Sequence, residues 1–535
     1  MKLVKSLMLG SAAGLIAMSG AQAADLPVKA KAVEYVKVCS LYGAGFWYIP
    51  GTDTCIKIGG YLRVDTTFNG GIYDSPAWNS NSGQGNRFAD YINSRSRMAL
   101  TVDTRTATEY GVVRTFGQAD FQFNNFGSTN PTSVGAAAAP LGGLSGSVLN
   151  GVGGGYVAVE YVFIQFAGFT FGKSSSAYAT PWNGYPGNNT SFLIGGNDSV
   201  TGVNNIQYTA QFGNGVSASI GLDDPTQFNR TPLVNLGPGL GAPLLTGFST
   251  AGTNAYEGFV WPDLVGNVRV DQAWGLFQFS GAVHHVGATY NVLAAGGAPV
   301  TGSTPATDSI LSGHPESKVG GSVMAALQIK NIPWGPGDDF KIDGSWAKGD
   351  TKNVIATSAA SPSFLMIGGV PGQFAGSGTI GFGGTTDGVF LPTASTLGGV
   401  TGDGNIHLTT AYGVRGAYNH NWDPYWSTSL WGGAGWVRYD DTAKAEICGA
   451  FGALVPGQGV TYSCNPNYTA AMVGVVTRWT PVKNFTFSAE VSWFHLQQEM
   501  SGTAFFSPGA PQPAQTWTFH NQDTMALNVR VQRNF

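Results

Sequence analysis

The sequence predicts an all-β chain: a transmembrane β-barrel of about sixteen antiparallel strands, with short turns on one rim and long loops on the other. Three observations predict it. The chain is too poor in charge for a water-covered surface. Its apolar and polar residues alternate at period two in segment after segment. The connections between those segments are alternately short and long.

The first observation is compositional. Only 11% of the 535 residues are charged, where soluble globular chains average roughly 25%. Gly accounts for 78 residues and aromatics for 12%, and mean hydropathy is +0.01. A soluble protein of this size needs more Lys, Arg, Asp and Glu to cover itself. Beyond the first 20 residues, no apolar run reaches the roughly 18 residues of a membrane helix. A net charge of −4 with abundant aromatics argues against disorder. A pI near 6.0 argues against a nucleic-acid partner.

Taken in order, residues 1–23 read as a secretory signal peptide. Lys2 and Lys5 are its basic region, Leu7 to Met18 its apolar stretch, and Ala21-Gln22-Ala23 a small-x-small cleavage site. Residues 24–54 form an N-terminal segment, and 55–535 the barrel. Cys39 and Cys55 lie 16 apart, as do Cys448 and Cys464. Four cysteines allow three pairings. The two local pairs are the simplest, and an exported chain meets an oxidising compartment. Metal binding is the alternative, but no CxxC or histidine cluster accompanies them.

The strands begin near residue 55. Lys57, Tyr61, Arg63, Asp65 and Thr67 share one parity; Ile56, Ile58, Leu62, Val64 and Phe68 share the other. Arg95, Arg97, Asp103 and Arg105 alternate with Met98, Leu100 and Val102. Arg114, Gln118, Asp120 and Gln122 alternate with Val113, Ala119, Phe121 and Phe123. Similar segments recur near 155–166, 168–176, 202–212, 215–224, 265–273, 275–290, 318–331, 338–350, 405–419, 424–440, 467–480, 484–500 and 520–535. Connections such as Ala167-Gly168 and Gly213-Asn214-Gly215 are short; those near 69–90, 125–154, 177–201, 225–264, 291–317, 351–404, 441–466 and 501–519 are long.

In a bilayer every backbone N–H and C=O needs a partner within the protein, which only helices and closed barrels supply. With helices excluded, a barrel remains, apolar outside and wet inside. Trp479, Trp493, Tyr412 and Phe535 fall near strand ends on the outward parity, where aromatic girdles form. The last strand, Val529 to Phe535, closes on a terminal Phe that resembles an outer-membrane assembly signal.

The blocks Ala24-Asp25-Leu26-Pro27-Val28-Lys29, Val33 to Cys39, and Gly43 to Tyr61 (GAGFWYIPGTDTCIKIGGY) resemble the alphaproteobacterial porin family. The resemblance implies a 16-stranded general-diffusion porin of the Gram-negative outer membrane, in contact with lipid and lipopolysaccharide. It implies a homotrimer, passive passage of small hydrophilic solutes and ions, and no cofactor.

In porins of this kind the third long loop folds inward. By strand count that loop is about 177–201, with Tyr178, Trp182, Asn183, Tyr185 and Asp198 as its candidate constriction residues. Arg63, Arg95, Arg97, Arg105 and Arg114 would form a basic wall opposite and set a field that favours anions. Some of these arginines could instead pair with Asp65, Asp103 and Asp120. Asp223, Arg269, Asp271, His284, His407, Arg415, Arg478, Glu490 and Arg530 read as further lumen wall. Residues 351–404 and Gly452 to Gly459 read as exposed loops without chemistry.

No catalytic residue and no metal ligand is assigned. There is no GxSxG, and Gly151 to Tyr156 lacks the third glycine of a dinucleotide fingerprint. His284 and His285 are adjacent and point to opposite strand faces. His495 and Glu499 lack an HExxH context. The rival readings are a sugar-specific channel, which would need more inward aromatics than Tyr61 and Phe116 provide, an outer-membrane enzyme, and a secreted solenoid or adhesin.

Overall fold

The computed structural model describes residues 37–71, 73–76, 79–80, 91–124, 154–198, 200–225, 231–237, 254–291, 312–355, 362–368, 378–455, 461–506 and 514–535. The expected signal peptide and residues 24–36 lie outside the described residues. Sixteen strands pair side by side, each antiparallel to the next. They are β1 (Thr54–Phe68), β2 (Ile92–Thr108), β3 (Gly111–Asn124), β4 (Gly154–Phe166), β5 (Phe169–Ser174), β6 (Val203–Gly213), β7 (Val216–Asp223) and β8 (Asp263–Gln272). The second half comprises β9 (Gly275–Val286), β10 (Lys318–Ile332), β11 (Asp338–Lys348), β12 (Thr410–Asn421), β13 (Trp426–Arg438), β14 (Tyr468–Val482), β15 (Phe485–Gln498) and β16 (Gln522–Asn534). The strand β16 pairs back onto β1, from Tyr61 with Asn534 to Phe68 with Leu527. The ring is closed, so no strand edge is left without partners in lipid.

The alternation sets the two faces. Ile58, Leu62, Val64, Val268, Ile220 and Leu430 project outward and are exposed, while Asp65, Arg95 and Asp120 point inward and are buried. Short turns close one rim. Ala167 and Gly168 both take positive φ (49° and 86°), the geometry that a two-residue hairpin between twisted strands requires. Exposed aromatics ring this rim: Tyr110, Phe212, Trp274, Trp334, Trp422, Trp426 and Phe535. Trp426 stacks on Trp479 at 5.8 Å, and Trp479 on Phe487 at 5.4 Å. Both local disulfides are present, Cys39–Cys55 and Cys448–Cys464. The first ties the N-terminal segment to β1 at the short-turn rim.

The long-loop rim departs from the sequence reading in two ways. Within 351–404, residues 351–355, 362–368 and 378–392 are packed rather than exposed, while 393–401 lie exposed or half-exposed as the sequence suggests. Phe364, Met366, Ile380, Val389 and Leu391 are fully buried. They pack with Trp431, Tyr468, Met472, Phe494 and Leu496, which point inward from β13, β14 and β15. The inner wall on that side is therefore apolar near the rim, and the loop supplies the apolar cover that keeps it dry. In addition, Asp441–Leu454 is a helix, α1, where the period-two reading allowed none. Asp440 caps it by accepting from the Ala443 amide at 2.8 Å, the usual way a short side chain satisfies a free helix N–H. Within the stretch from Gly452 to Gly459, residues 452–454 end this helix and 456–459 lie outside the described residues.

Candidate functional site: the narrowed bore

The third long loop, residues 175–202, leaves the wall after β5 and crosses the lumen. Polar contacts to the far wall hold it there. Glu490 on β15 accepts from the Asn189 and Thr190 amides at 2.6 and 2.8 Å. Arg478 on β14 donates to the Gly187 carbonyl at 2.7 Å, and Arg530 on β16 to the Asn189 carbonyl at 3.2 Å. Trp182 donates its indole N–H to Asp343 on β11 at 3.1 Å. Gly195 and Gly196 let the backbone lie on the inner wall. A Cβ on Gly196 would stand 2.4 Å from Asp343 Oδ1 and 2.7 Å from Arg415 Nε. Arg415 and Asp343 are themselves ion-paired at 3.0 Å and buried.

The loop divides the lumen. A cavity of about 790 Å³ remains between the loop and the β1–β5 and β14–β16 walls. A second, of about 520 Å³, lies on the short-turn side against β6–β9. The larger cavity has a charge gradient across it. Arg63, Arg530 and Arg478 form a cationic arc on β1, β16 and β14; Asp120 and Glu160 stand on β3 and β4. Arg97 bridges the acids, 2.7 Å from Asp120 and 3.7 Å from Glu160. Tyr61, Tyr73, Tyr161 and Tyr185 complete the lining.

The expected site residues fall in several places. Arg63 and Arg97 line the larger cavity. Arg95 lies behind it, fully buried between Asp65 at 2.6 Å and Asp74 at 3.3 Å. Arg105 and Arg114 share Asp103 at 3.1 and 3.0 Å, near the turn between β2 and β3. Their cationic heads face Phe46 of the N-terminal segment and Phe116, respectively. In the loop, Tyr185 lines the larger cavity and Asn183 the smaller. Tyr178 and Trp182 pack with Val265, Met324 and Ala326 on the wall. Asp198 is buried and does not itself line the larger cavity, and burial pushes its carboxyl up to about 6 despite nearby Lys352 and Arg415.

By parity alone Arg478 and Arg530 read only as wall residues. Closure sets Asp65 directly opposite Arg530 in the pairing of β1 with β16. The proximity of first and last strands was the available signal. Glu160 and Tyr161 reach the cavity together because the β3–β4 register slips at Gln118/Ala119, a bulge that re-aims a side chain. The parity change is visible in the sequence: Val157 and Val159 face out before it, Val162 and Ile164 after it.

Comparison with known proteins places this geometry in context. A family model described as "Porin subfamily" matches residues 25–528. The chain is 34% identical over 282 residues to Porin Omp2b of Brucella canis, covering 51% of this chain and 63% of that protein. Porin Omp2b of Brucella abortus (strain 2308) matches equally over the same share of each chain. These matches thus span under two thirds of the relatives' length. Among solved structures, the outer membrane channel DcaP of Acinetobacter baumannii superposes with a TM-score of 0.51 at 13% identity, covering 91% of this chain and 99% of that one. That likeness concerns the fold.

Proposed function

The chain belongs to the porin subfamily, and from that premise we propose that it forms a passive, water-filled channel for small hydrophilic solutes and ions. The barrel sits in a Gram-negative outer membrane, against lipid and lipopolysaccharide, as a homotrimer. The signal peptide over residues 1–23 is removed on export, and residues 24–54 precede the pore-forming part. No cofactor or catalytic group takes part. The observation that carries the reading is a closed barrel whose lumen a loop narrows to a polar, charged cavity.

The five cations on the cavity lining, Arg63, Arg97, Lys173, Arg478 and Arg530, face two acids, Asp120 and Glu160. Arg530 is balanced by Asp65 and Asp74 behind it. The remaining excess is positive, so the channel prefers anions mildly. Planar-bilayer recording on the purified protein tests both claims. Discrete conductance steps grouped in threes, with a reversal potential of anionic sign in a salt gradient, are expected. Absence of conductance overturns the channel; a cationic reversal potential overturns the preference.

Four tyrosines around one cavity favour a narrower second reading, a channel that favours ring-shaped solutes such as sugars. Current block by a sugar, relieved in Tyr185→Ala, distinguishes it from unselective diffusion.

A further inference from the structure

Three acids and one histidine meet at the long-loop rim, away from the bore. Asp403 and His407 come from the loop between β11 and β12; Asp440 caps α1, and Glu446 lies in its second turn. Candidate ligand atoms of Asp403, His407 and Glu446 all lie within 4.8 Å of one another. His407 Nε2 is 3.1 Å from Asp403, and its Nδ1 is 3.4 Å from Asp440. Asp440 is fixed in turn, because its other oxygen caps α1.

Glu446 is the unusual member. It is 1% exposed, and among the described residues neither carboxylate oxygen has a hydrogen-bond partner. The Asp403 amide faces it and falls short of hydrogen-bond geometry. A buried carboxylate with no donor is costly. Among the described ion pairs, none brings a Lys or Arg to Asp403, Asp440 or Glu446; Lys444 goes to Asp441 instead. Three carboxyl groups thus share one imidazole, and a divalent cation supplies the positive charge that no Lys or Arg brings.

We propose that Asp403, His407 and Glu446 bind a divalent transition-metal ion, with Zn²⁺ as the type case. Imidazole with carboxylates suits Zn²⁺ and its neighbours, whereas Ca²⁺ and Mg²⁺ favour all-oxygen sites. Zn²⁺ accepts His nitrogen and carboxylate oxygen at about 2.0–2.2 Å, so the three groups close in slightly on binding, and water completes the set. Asp440 on the far ring nitrogen is the carboxylate that orients a ligating histidine. The ion staples the 349–409 loop to α1, beside the Cys448–Cys464 bond that ties α1 to the following segment. The site does not depend on what crosses the bore.

The test is calorimetric titration of Zn²⁺ into the chelator-stripped, purified full chain in detergent. One saturable Zn²⁺ per chain is expected, with a higher melting temperature in its presence. Glu446→Gln and His407→Ala lose the binding. Asp440→Asn, which can still cap the helix, weakens it about 10–100-fold. Asp441→Asn, at a fully exposed neighbour, leaves it intact. Without Zn²⁺, Glu446→Gln melts higher than the parent, since an unpartnered carboxylate is gone; that separates loss of a ligand from loss of fold. No saturable Zn²⁺ in the parent chain, binding undiminished in Glu446→Gln and His407→Ala, or tight Ca²⁺ binding with no Zn²⁺ overturns the assignment.

Discussion

At the scale of single residues, the inner wall holds two kinds of arginine with different work. Arg95 and Arg530 belong to a closed quartet with Asp65 and Asp74, all buried, with contacts from 2.5 to 3.3 Å. Two positive and two negative charges balance inside the wall. Removing one leaves a buried charge without its partner, which costs about 3–5 kcal/mol. Arg95→Ala is therefore expected to lower the denaturation midpoint strongly and to leave the reversal potential nearly unmoved. Arg63 is the contrasting case. It touches the cavity and donates to Gln532 at 2.8 Å, and among the described residues no acid lies in ion-pair range of it. Arg63→Ala costs about 1.5–3 kcal/mol, the range of one hydrogen bond from a charged group, and shifts the reversal potential toward cations. A larger selectivity change in Arg95→Ala than in Arg63→Ala would mean that the buried quartet, not the cavity lining, sets the field.

At the scale of elements, the inward loop is held by the 349–409 loop as well as by the barrel. The Gly195 amide donates to the Val354 carbonyl at 3.0 Å, and Asn197 donates to Asn353 at 2.6 Å. Burial raises Asp198 to about 6 and Asp350 to about 7 in this contact. Both acids hold protons in the folded loops at pH values where an unfolded chain has released them. The contact therefore gains stability as pH falls from about 7 toward 4 and loses it as pH rises through the folded values. Amide exchange of residues 190–198 and 350–355, corrected for intrinsic rate, should be slower at pH 5 than at pH 8, and Asp198→Asn should flatten part of that difference. Gly196→Val tests the same seam sterically. Its side chain meets the Arg415–Asp343 pair, costs about 1–3 kcal/mol, and lifts the loop, so unitary conductance rises. The strands themselves were legible in the sequence, because lipid outside and water inside impose period two on every one. The helix α1 was not, since its Gly449 and Gly452 and small residues give no clear helical stripe. Nor was the cationic arc, because Arg478 and Arg530 join Arg63 only once the last strands close against the first.

At the scale of the whole molecule, the decisive property is that one cylinder separates two solvents. Charge poverty in the sequence and the closed seam between β1 and β16 are two aspects of it: 11% charged residues cannot cover a soluble protein but can line a bore. This makes position on the pleat, not residue type, the determinant of what a substitution costs. Val268 lies near the middle of β8, faces outward and is 52% exposed. Thr209 on β6 lines the smaller cavity and donates or accepts one hydrogen bond with Ser219 at 2.9 Å. Lysine at Val268 must lie in hydrocarbon and costs about 2–4 kcal/mol. Lysine at Thr209 keeps its charge in water and loses a single hydroxyl contact, about 1 kcal/mol. Unfolding of the two variants in lipid vesicles by denaturant should thus separate them by more than about 1 kcal/mol, with Thr209→Lys also altering the reversal potential toward anions. Equal destabilisation at the two sites would mean that both faces meet the same medium, and a lipid-embedded barrel with a wet interior would no longer describe the protein.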